Sequence, residues 1–175
     1  DLISRGLVRY IGVSNWSAWR IAKANGIADG RGYARFDAVQ AYYSIAGRDI
    51  EREMVPMLSE VTMGLMAWSP LAGGLLSGKF GPGSTADGRR ATFDFPPVDK
   101  ERAWACVDAM RPIADKHGTS VTSLALASVL SNTFVTTAIT GAKRIVPIEP
   151  NQAAPGLQLT PGDPAHLADG SQQLP

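Results

Sequence analysis

Short apolar runs recur four times along the chain, and each ends in small or polar residues. They cover residues 8–13, 36–39, 63–67 and 134–139. Runs of this length and composition are typical of strands that are buried on both faces of a parallel sheet. The pattern therefore predicts four parallel strands.

Helical patterns separate these strands. Residues 48–60 carry apolar side chains at spacings of three and four, which predicts an amphipathic helix with Glu51 on its solvent face. A second helix is predicted over residues 99–117, with Asp99 as its N-cap and a kink at Pro112. A third, over residues 120–130, is mostly small and apolar, so we expect it on a buried flank. At the amino terminus, residues 1–6 resemble the end of a helix with Gly6 as its carboxyl cap.

This alternation of strands and helices predicts an α/β fold made of right-handed βαβ units. Two architectures share the pattern, an open doubly wound sheet and a closed (β/α)8 barrel, and the pattern alone does not choose between them. A complete barrel needs about 250 residues, so four units amount to about half of one. We expect residues 1–175 to form a single domain.

Two stretches break the alternation. Residues 80–98 combine glycine, proline, aromatic residues and two arginines, and they are too many for an ordinary connection, so we expect a functional loop or flap. Residues 145–175 contain six prolines, which makes a long regular helix there unfavourable.

Composition narrows the functional classes. A net charge of +1 gives no electrostatic reason to expect nucleic acid or an anionic membrane as a partner. No apolar run approaches the roughly 18 residues of a membrane-spanning helix, and no cluster of Cys and His suggests a metal site. The single cysteine, Cys106, cannot form an internal disulfide and is expected in the core, which fits a cytoplasmic protein. A small molecule is therefore the expected ligand.

Candidate binding residues follow the apolar runs, because ligands of parallel α/β folds sit at the carboxyl ends of the strands. Amide and hydroxyl side chains found there can pair with a carboxamide, and a large aromatic side chain can stack on a flat ring, so a nicotinamide fits. Alternatively, the polar side chains only cap the following helices. The candidates are Ser14, Asn15, Gln40, Trp68, Ser69 and residues 141–144.

Four segments carry a resemblance to a known family. Residues 8–15 read VRYIGVSN, residues 39–51 begin VQAYYS, residues 68–79 read WSPLAGGLLSGK and residues 140–144 read TGAKR. In this order they resemble the fifth to eighth strands, with their loops, of the aldo-keto reductases, which are NADP-dependent oxidoreductases. The resemblance implies a partial TIM barrel, a (β/α)8 fold of which this chain holds strands five to eight.

The resemblance also implies roles for individual residues. Ser14, Asn15 and Gln40 would hold the nicotinamide carboxamide, and Trp68 would stack against the ring. The pyrophosphate would run along the loop after the seventh strand, past Ser69, Leu71 and Gly73. Apart from the resemblance, Lys79 and the pair Arg89 and Arg90 of the long loop could fold over the pyrophosphate as a lid that excludes water, or they could be simply solvated.

At the other end of the cofactor, Gly141 belongs to the phosphate loop. Lys143 or Arg144 would neutralise the 2′-phosphate, which implies NADPH as the cofactor; these cations could equally be ordinary solvated surface residues. Asn151 would contact adenine. Its surroundings depart from the family pattern, because Pro150 and Pro155 would each cost about 3 kcal/mol inside the helix that the family forms there.

No catalytic residue is assigned to this chain. In the family, the tyrosine, lysine, aspartate and histidine that act on the carbonyl follow the second to fourth strands, outside the four matching segments. Tyr42 and Tyr43 have no lysine nearby in the sequence that would lower a tyrosine pKa.

Three functional hypotheses follow. The first is an NADPH-dependent oxidoreductase that acts, in the full-length parent protein, on small aldehydes or ketones. The second is a non-catalytic cofactor-binding or interaction module, and the third is a degenerate fragment, suggested by the tail prolines and by Ser128 where relatives carry tryptophan. Half a barrel leaves two open sheet edges, so we also expect self-association.

Overall fold

The computed structural model describes residues 1–84, 89–141, 153–160 and 162–163. Its centre is a four-stranded parallel sheet, ordered β1-β2-β3-β4. A doubly wound sheet reverses its strand order at a switch point, whereas these strands follow chain order, which is consistent with part of a barrel. The strands are β1 (Gly12–Ser14), β2 (Ala38–Tyr42), β3 (Gly64–Trp68) and β4 (Val135–Ile139).

The strand boundaries differ from the prediction at two places. β1 begins at Gly12, so the prediction of strand over residues 8–11 was wrong. Its neighbour β2 begins only at Ala38, the partner of Gly12. Before that pair, the Ile11 carbonyl still accepts the backbone N–H of Asp37, at 2.8 Å. β2 continues to Tyr42, which places Gln40 inside the strand and not after it.

Helices and 3-10 turns connect the strands. Two predicted helices are confirmed within one or two residues: α4 starts after Asp99, whose carboxylate accepts a hydrogen bond from the Arg102 N–H at 3.0 Å, and α5 starts after Ser120. α4 continues through Pro112. The helices are α1 (Ala18–Arg31), α2 (Met54–Val61), α3 (Arg89–Thr92), α4 (Lys100–Lys116) and α5 (Val121–Leu130), with 3-10 turns at Asp49–Glu51, Ala72–Ser77 and Ala154–Gly156.

The predicted helix over residues 48–60 is divided in two. A 3-10 turn at Asp49–Glu51 precedes α2. Glu51 was predicted on the solvent face, but its side chain is half-buried. Its carboxylate accepts the Tyr43 hydroxyl at 2.6 Å and pairs with both Nε and a terminal nitrogen of Arg48, at 2.8 and 2.9 Å. A buried phenol needs such a partner, and the turn brings the carboxylate back to it. Burial, followed by this hydrogen bond, raises the pKa of Tyr43.

The core lies against one face of the sheet. In β2 and β3 the alternate residues Val39, Ala41, Leu65 and Ala67 are buried beneath the helices. Cys106, on the inward stripe of α4, is fully buried, as predicted. None of the described helices is long and apolar enough to cross a membrane.

Residues 2–6 form turns that end at Gly6, the predicted carboxyl cap, although no helix is formed there. Gly6 has φ +70°, and the N–H groups of Gly6 and Leu7 donate to the carbonyls of Ile3 and Leu2, at 2.8 and 3.0 Å. This pair of bonds is the Schellman arrangement that closes helix ends.

A buried carboxylate fastens the described part of the tail to the end of α4. Asp163 accepts hydrogen bonds from the N–H and hydroxyl of Thr160, at 2.7 and 2.6 Å, and lies 2.8 Å from His117 Nε2 and 3.0 Å from Lys116 Nζ. The hydrogen bond from Thr160, then those from His117 and Lys116, hold the pKa of Asp163 well below its usual range, against the opposing effect of burial.

Because the folded-state pKa of Asp163 is lowered, its stabilising effect is complete above the unfolded pKa of about 3.9 and is lost as the pH falls further. Asp163→Asn is therefore expected to lower the Tm at neutral pH, and the difference from the wild type should shrink below about pH 4. Asp108→Asn, at an exposed ion pair with Arg111, is the control and should change little. A Tm difference for Asp163→Asn that stays constant or grows in acid would contradict this.

Candidate functional site

The predicted carboxamide residues lie together on the face of the sheet opposite the core. We call this the open face; it carries Ser14, Gln40, Tyr42, Met66 and Trp68, which are half-buried or exposed. Ser14 pairs with Gln40 across β1 and β2, and Tyr42 pairs with Trp68 across β2 and β3. Paired residues of parallel strands point to the same side, so the sheet itself brings these side chains together.

Asn15 links the two ends of this cluster. Its side-chain Nδ2 donates to Ser14 Oγ at 3.0 Å, and its Oδ1 accepts the Trp68 indole N–H at 2.9 Å. The backbone N–H of Asn15 and the hydroxyl of Ser14 both donate to the Gln40 carbonyl, at 3.1 Å each. Asn15 adopts φ 57°, a conformation that few residues other than glycine tolerate. The bond network therefore fixes the relative positions of β1 and β3 across β2.

These side chains do not cap helices, so that alternative was wrong. The N-cap of α1 is Ser17, and the 3-10 turn after β2 has Arg48 at its N-cap. The side-chain amide of Gln40 makes no hydrogen bond within the described part of the chain, and it projects from the open face. It is a free donor and acceptor at the centre of the cluster.

Two aromatic residues that were not predicted as site residues contact Trp68. Tyr42 lies tilted by 44°, with its ring centroid 5.2 Å from the indole. Phe95 lies parallel to the indole within 5°, at 5.5 Å. Tyr42 follows Gln40 by two positions, a spacing that places both on one face of a strand, so a sequence signal for it existed. Phe95 belongs to the long loop, and only the aromatic composition of that loop hinted at it.

The turn after β3 is built from left-handed residues. Ser69 has φ 49°, Ala72 φ 51°, Gly73 φ 67° and Gly74 φ 102°. Leu71, with φ −99° and ψ 14°, precedes Ala72, so a right-handed residue is followed by left-handed ones. A right-handed residue followed by a left-handed one can direct backbone N–H groups into a concavity that suits an anion. Here the N–H groups of Ala72 and Gly74 donate to the carbonyls of Ser69 and Leu71, at 2.8 and 2.9 Å, so an anion would approach other N–H groups of the turn. We call residues 69–74 the glycine turn.

Arg90 anchors the long loop to the glycine turn. Its guanidinium donates to the carbonyls of Ala72 and Pro96, at 3.1 and 2.8 Å, and its Nε lies 2.8 Å from a carboxylate oxygen of Asp94. Only 4% of the Arg90 side chain is exposed. The alternative of a solvated loop arginine is therefore wrong for Arg90, because the carbonyls of Ala72 and Pro96 bind its guanidinium inside the protein. Lys79, by contrast, is exposed.

The remaining predicted site residues lie toward the other end of the cofactor. Gly141 is exposed, two positions after the end of β4. Lys143, Arg144 and Asn151 lie outside the described residues. An open cavity at the carboxyl ends of β1 and β2 is lined by residues that include Asn15, Trp16, Tyr42 and Met54. Trp16 also packs against Phe36 in an edge-to-face contact, with ring centroids 6.0 Å apart.

The tyrosines near the site are poor proton donors. Burial raises the pKa of Tyr42, and its hydroxyl lies 2.8 Å from Ser44 Oγ. The hydroxyl of Tyr43 is bound to Glu51. Among the described residues, no group of three or more metal-ligating side chains occurs. The site is therefore suited to holding a planar amide and an anion, and neither Tyr42 nor Tyr43 is prepared for acid catalysis.

The chain matches a family model over residues 1–169, that of the aldo/keto reductase family. It is 32% identical over 169 residues to an aryl-alcohol dehydrogenase of Pestalotiopsis microspora, covering 97% of this chain and 43% of that protein. It is 34% identical over 164 residues to a protein of Arabidopsis thaliana named as a probable voltage-gated potassium channel subunit beta, covering 87% of this chain and 48% of that protein. With the versiconal hemiacetal acetate reductase of Aspergillus parasiticus the identity is 32% over 137 residues, 75% of this chain and 39% of the reductase. The chain thus spans less than half the length of these relatives.

Proposed function

Because the chain belongs to the aldo/keto reductase family, we propose that it supplies the nicotinamide-binding half of an NADPH-dependent oxidoreductase. In this proposal β1 to β4 are strands five to eight of a (β/α)8 barrel, and residues 1–175 are one partial domain. Residues 80–98 form its long loop and residues 145–175 its proline-rich tail. Members of the family are oxidoreductases that use nicotinamide dinucleotides, and two of the relatives above are named as a dehydrogenase and a reductase.

The observation that carries the proposal is the cluster of Ser14, Asn15, Gln40 and Trp68 on one face of the sheet. A carboxamide needs a donor and an acceptor held in one plane, and the amide of Gln40, which makes no hydrogen bond to a described residue, offers both. Asn15, already fixed by Ser14 and Trp68, has a second N–H on Nδ2 for the same group. The indole of Trp68 would support the ring itself.

The glycine turn supports the placement of the pyrophosphate. Ser69, Leu71 and Gly73 are positioned by the left-handed backbone so that N–H groups can approach phosphate oxygens closely. Lys79 would add a positive charge from the solvent side, and Gly141 would let the backbone after β4 approach the adenosine end.

When bound, the nicotinamide would supply hydride to the carbonyl carbon of a small aldehyde or ketone. The residues of this chain would fix the orientation of the ring through its carboxamide and keep one of its faces out of water. The proton for the carbonyl oxygen would come from residues of the full-length parent outside the four matched segments, since burial raises the pKa of both Tyr42 and Tyr43 and makes their hydroxyls weaker acids.

The choice of NADPH over NADH is assigned to Lys143 and Arg144. Replacing both by alanine is expected to weaken NADPH binding roughly ten- to hundredfold, because one charge-assisted hydrogen bond to the 2′-phosphate, from whichever of the two makes it, contributes about 1.5–3 kcal/mol, and to affect NADH far less. A fluorescence titration of the chain with each cofactor measures this. The control removes two exposed cations of α1, Lys23 and Arg31, and should leave both affinities unchanged. Equal losses for both cofactors would contradict the assignment, and no binding of either cofactor by the wild type would contradict the proposed function.

A non-catalytic interaction module is the second candidate, favoured by the likeness to the Arabidopsis protein. Among the described strands, β1 and β4 each pair on one side only, so both edges are open to a partner or to a second copy of the chain. Steady-state oxidation of NADPH by the full-length parent with a panel of small aldehydes separates the candidates: turnover supports the reductase, and cofactor binding without turnover supports the module.

A further inference from the structure

We propose that Phe95 is a gate on the ring-binding face of Trp68: its side chain covers the indole while no planar ligand is present, and it must swing away before a nicotinamide ring can stack there. The inference rests on the proposed function, because it concerns the same site. It adds a residue of the long loop that governs affinity for the nicotinamide end of the cofactor.

The first observation is the stacking geometry. The Phe95 and Trp68 rings are parallel within 5°, with centroids 5.5 Å apart. This is an offset stack, the arrangement that a flat heteroaromatic ligand would also adopt on an indole. Phe95 therefore stands in the position that a stacked ligand would take.

The other aromatic neighbour of Trp68 is much more firmly held. The Tyr42 hydroxyl lies 2.8 Å from Ser44 Oγ, and the Tyr42 ring packs so closely on Gly47 that no Cβ would fit there. Its ring is tilted by 44° from the indole. A planar ligand would therefore gain access to the indole by displacing Phe95 and not Tyr42.

The backbone around Phe95 is fixed, whereas its ring is partly free. Arg90, buried between the Ala72 and Pro96 carbonyls, fastens the segment on both sides of the ring, and the Phe95 carbonyl lies against Gly73, 2.5 Å from where a Cβ would stand. Yet Phe95 is 42% exposed. The Phe95 ring also contacts the ring of Phe93, with centroids 5.5 Å apart and planes tilted by 36°. Rotation of Phe95 into solvent would break its ring contacts without detaching the loop, so the glycine turn stays intact while the indole face opens.

The size of the effect follows from the contact that must be broken. An aromatic pair of this kind contributes roughly two- to tenfold to an equilibrium constant, and the ligand ring has to compete with it. Removing the Phe95 ring should strengthen binding of the nicotinamide end by that factor and leave the adenosine end unaffected.

The experiment compares the binding of three probes to the 175-residue chain. They are NADPH; reduced nicotinamide mononucleotide, which has the nicotinamide ring without adenosine; and adenosine 2′,5′-bisphosphate, which has no nicotinamide ring. Dissociation constants are measured by calorimetry for the wild type, for Phe95→Ala and for Tyr33→Ala, an exposed aromatic control after α1. Phe95→Leu, which keeps apolar bulk in the loop, serves the same test if the alanine variant is less stable in urea.

We expect Phe95→Ala to bind NADPH and the mononucleotide about two- to tenfold more tightly than the wild type, with the bisphosphate unchanged. Unchanged or weaker binding of both ring-containing probes, with the wild type binding NADPH, would overturn the gate while leaving the proposed function standing. Failure of every folded variant to bind any probe would overturn the proposed function, and the gate with it. Equal tightening of all three probes would also overturn the gate, since it would show a general loosening of the loop.

Discussion

Gly73→Ala is expected to lower the free energy of unfolding by about 2–5 kcal/mol, because it combines a left-handed backbone with a steric clash. Gly73 has φ 67°, and an added Cβ would stand 2.5 Å from the Phe95 carbonyl oxygen and 3.0 Å from an Arg90 nitrogen. The first neighbour is backbone held by Arg90, so it cannot move without detaching the loop. Urea unfolding of the chain, followed by circular dichroism, measures the loss.

Gly83→Ala is the matched control for this substitution. Gly83 has a nearly identical φ of 71°, but none of the described atoms lies within 4 Å of an added Cβ. It should cost only the backbone contribution, about 1–2 kcal/mol. The difference between the two variants isolates the contact between the glycine turn and the loop. Equal losses would mean that Phe95 does not rest on Gly73.

Arg90→Met is expected to cost about 2–4 kcal/mol, because two charge-assisted hydrogen bonds to buried carbonyls are lost. Methionine replaces much of the buried volume but cannot donate to the Ala72 and Pro96 carbonyls, which Arg90 reaches at 3.1 and 2.8 Å. The carboxylate of Asp94 keeps its ion pair with Lys100 at 2.9 Å, so it is not left isolated. The same urea unfolding experiment applies.

Arg5→Met provides the comparison for an arginine on the surface. Arg5 pairs with Asp1 at 3.2 Å, and both side chains are largely exposed, so its loss should cost less than about 1 kcal/mol. If Arg90→Met were as mild as Arg5→Met, the buried anchor described above would not hold the loop.

The strands and the carboxamide residues could be predicted from sequence because both depend on local order. Apolar runs mark the strands, and the register of consecutive parallel strands then pairs Ser14 with Gln40 and Tyr42 with Trp68 on the same face. The strand β1 was predicted too long, because its length is set by where β2 begins and not by its own apolar residues.

Contacts between distant segments were beyond local patterns. Residues 48–60 have the periodicity of one helix, but a hydrogen bond between Tyr43 and Glu51 divides it. Arg90 looks like a solvated loop arginine in the sequence, and only the carbonyls of Ala72 and Pro96 make its burial possible. The stacking of Phe95 on Trp68 joins residues 27 positions apart and has no periodic signature. These contacts hold the long loop over the site. The sequence therefore predicted the polar residues of the site better than it predicted the loop residues that pack on them.

In the proposed function, the nicotinamide end of the cofactor binds to the cluster of Ser14, Asn15, Gln40 and Trp68. The most direct test is calorimetric titration of Gln40→Leu with NADPH and with 2′-phospho-ADP-ribose, which lacks the nicotinamide, using Gln158→Leu at an exposed position as the control. Loss of two amide hydrogen bonds at about 0.5–1.5 kcal/mol each predicts roughly five- to hundredfold weaker NADPH binding with the affinity for 2′-phospho-ADP-ribose unchanged. Equal weakening of both ligands, or of neither, would contradict the claim.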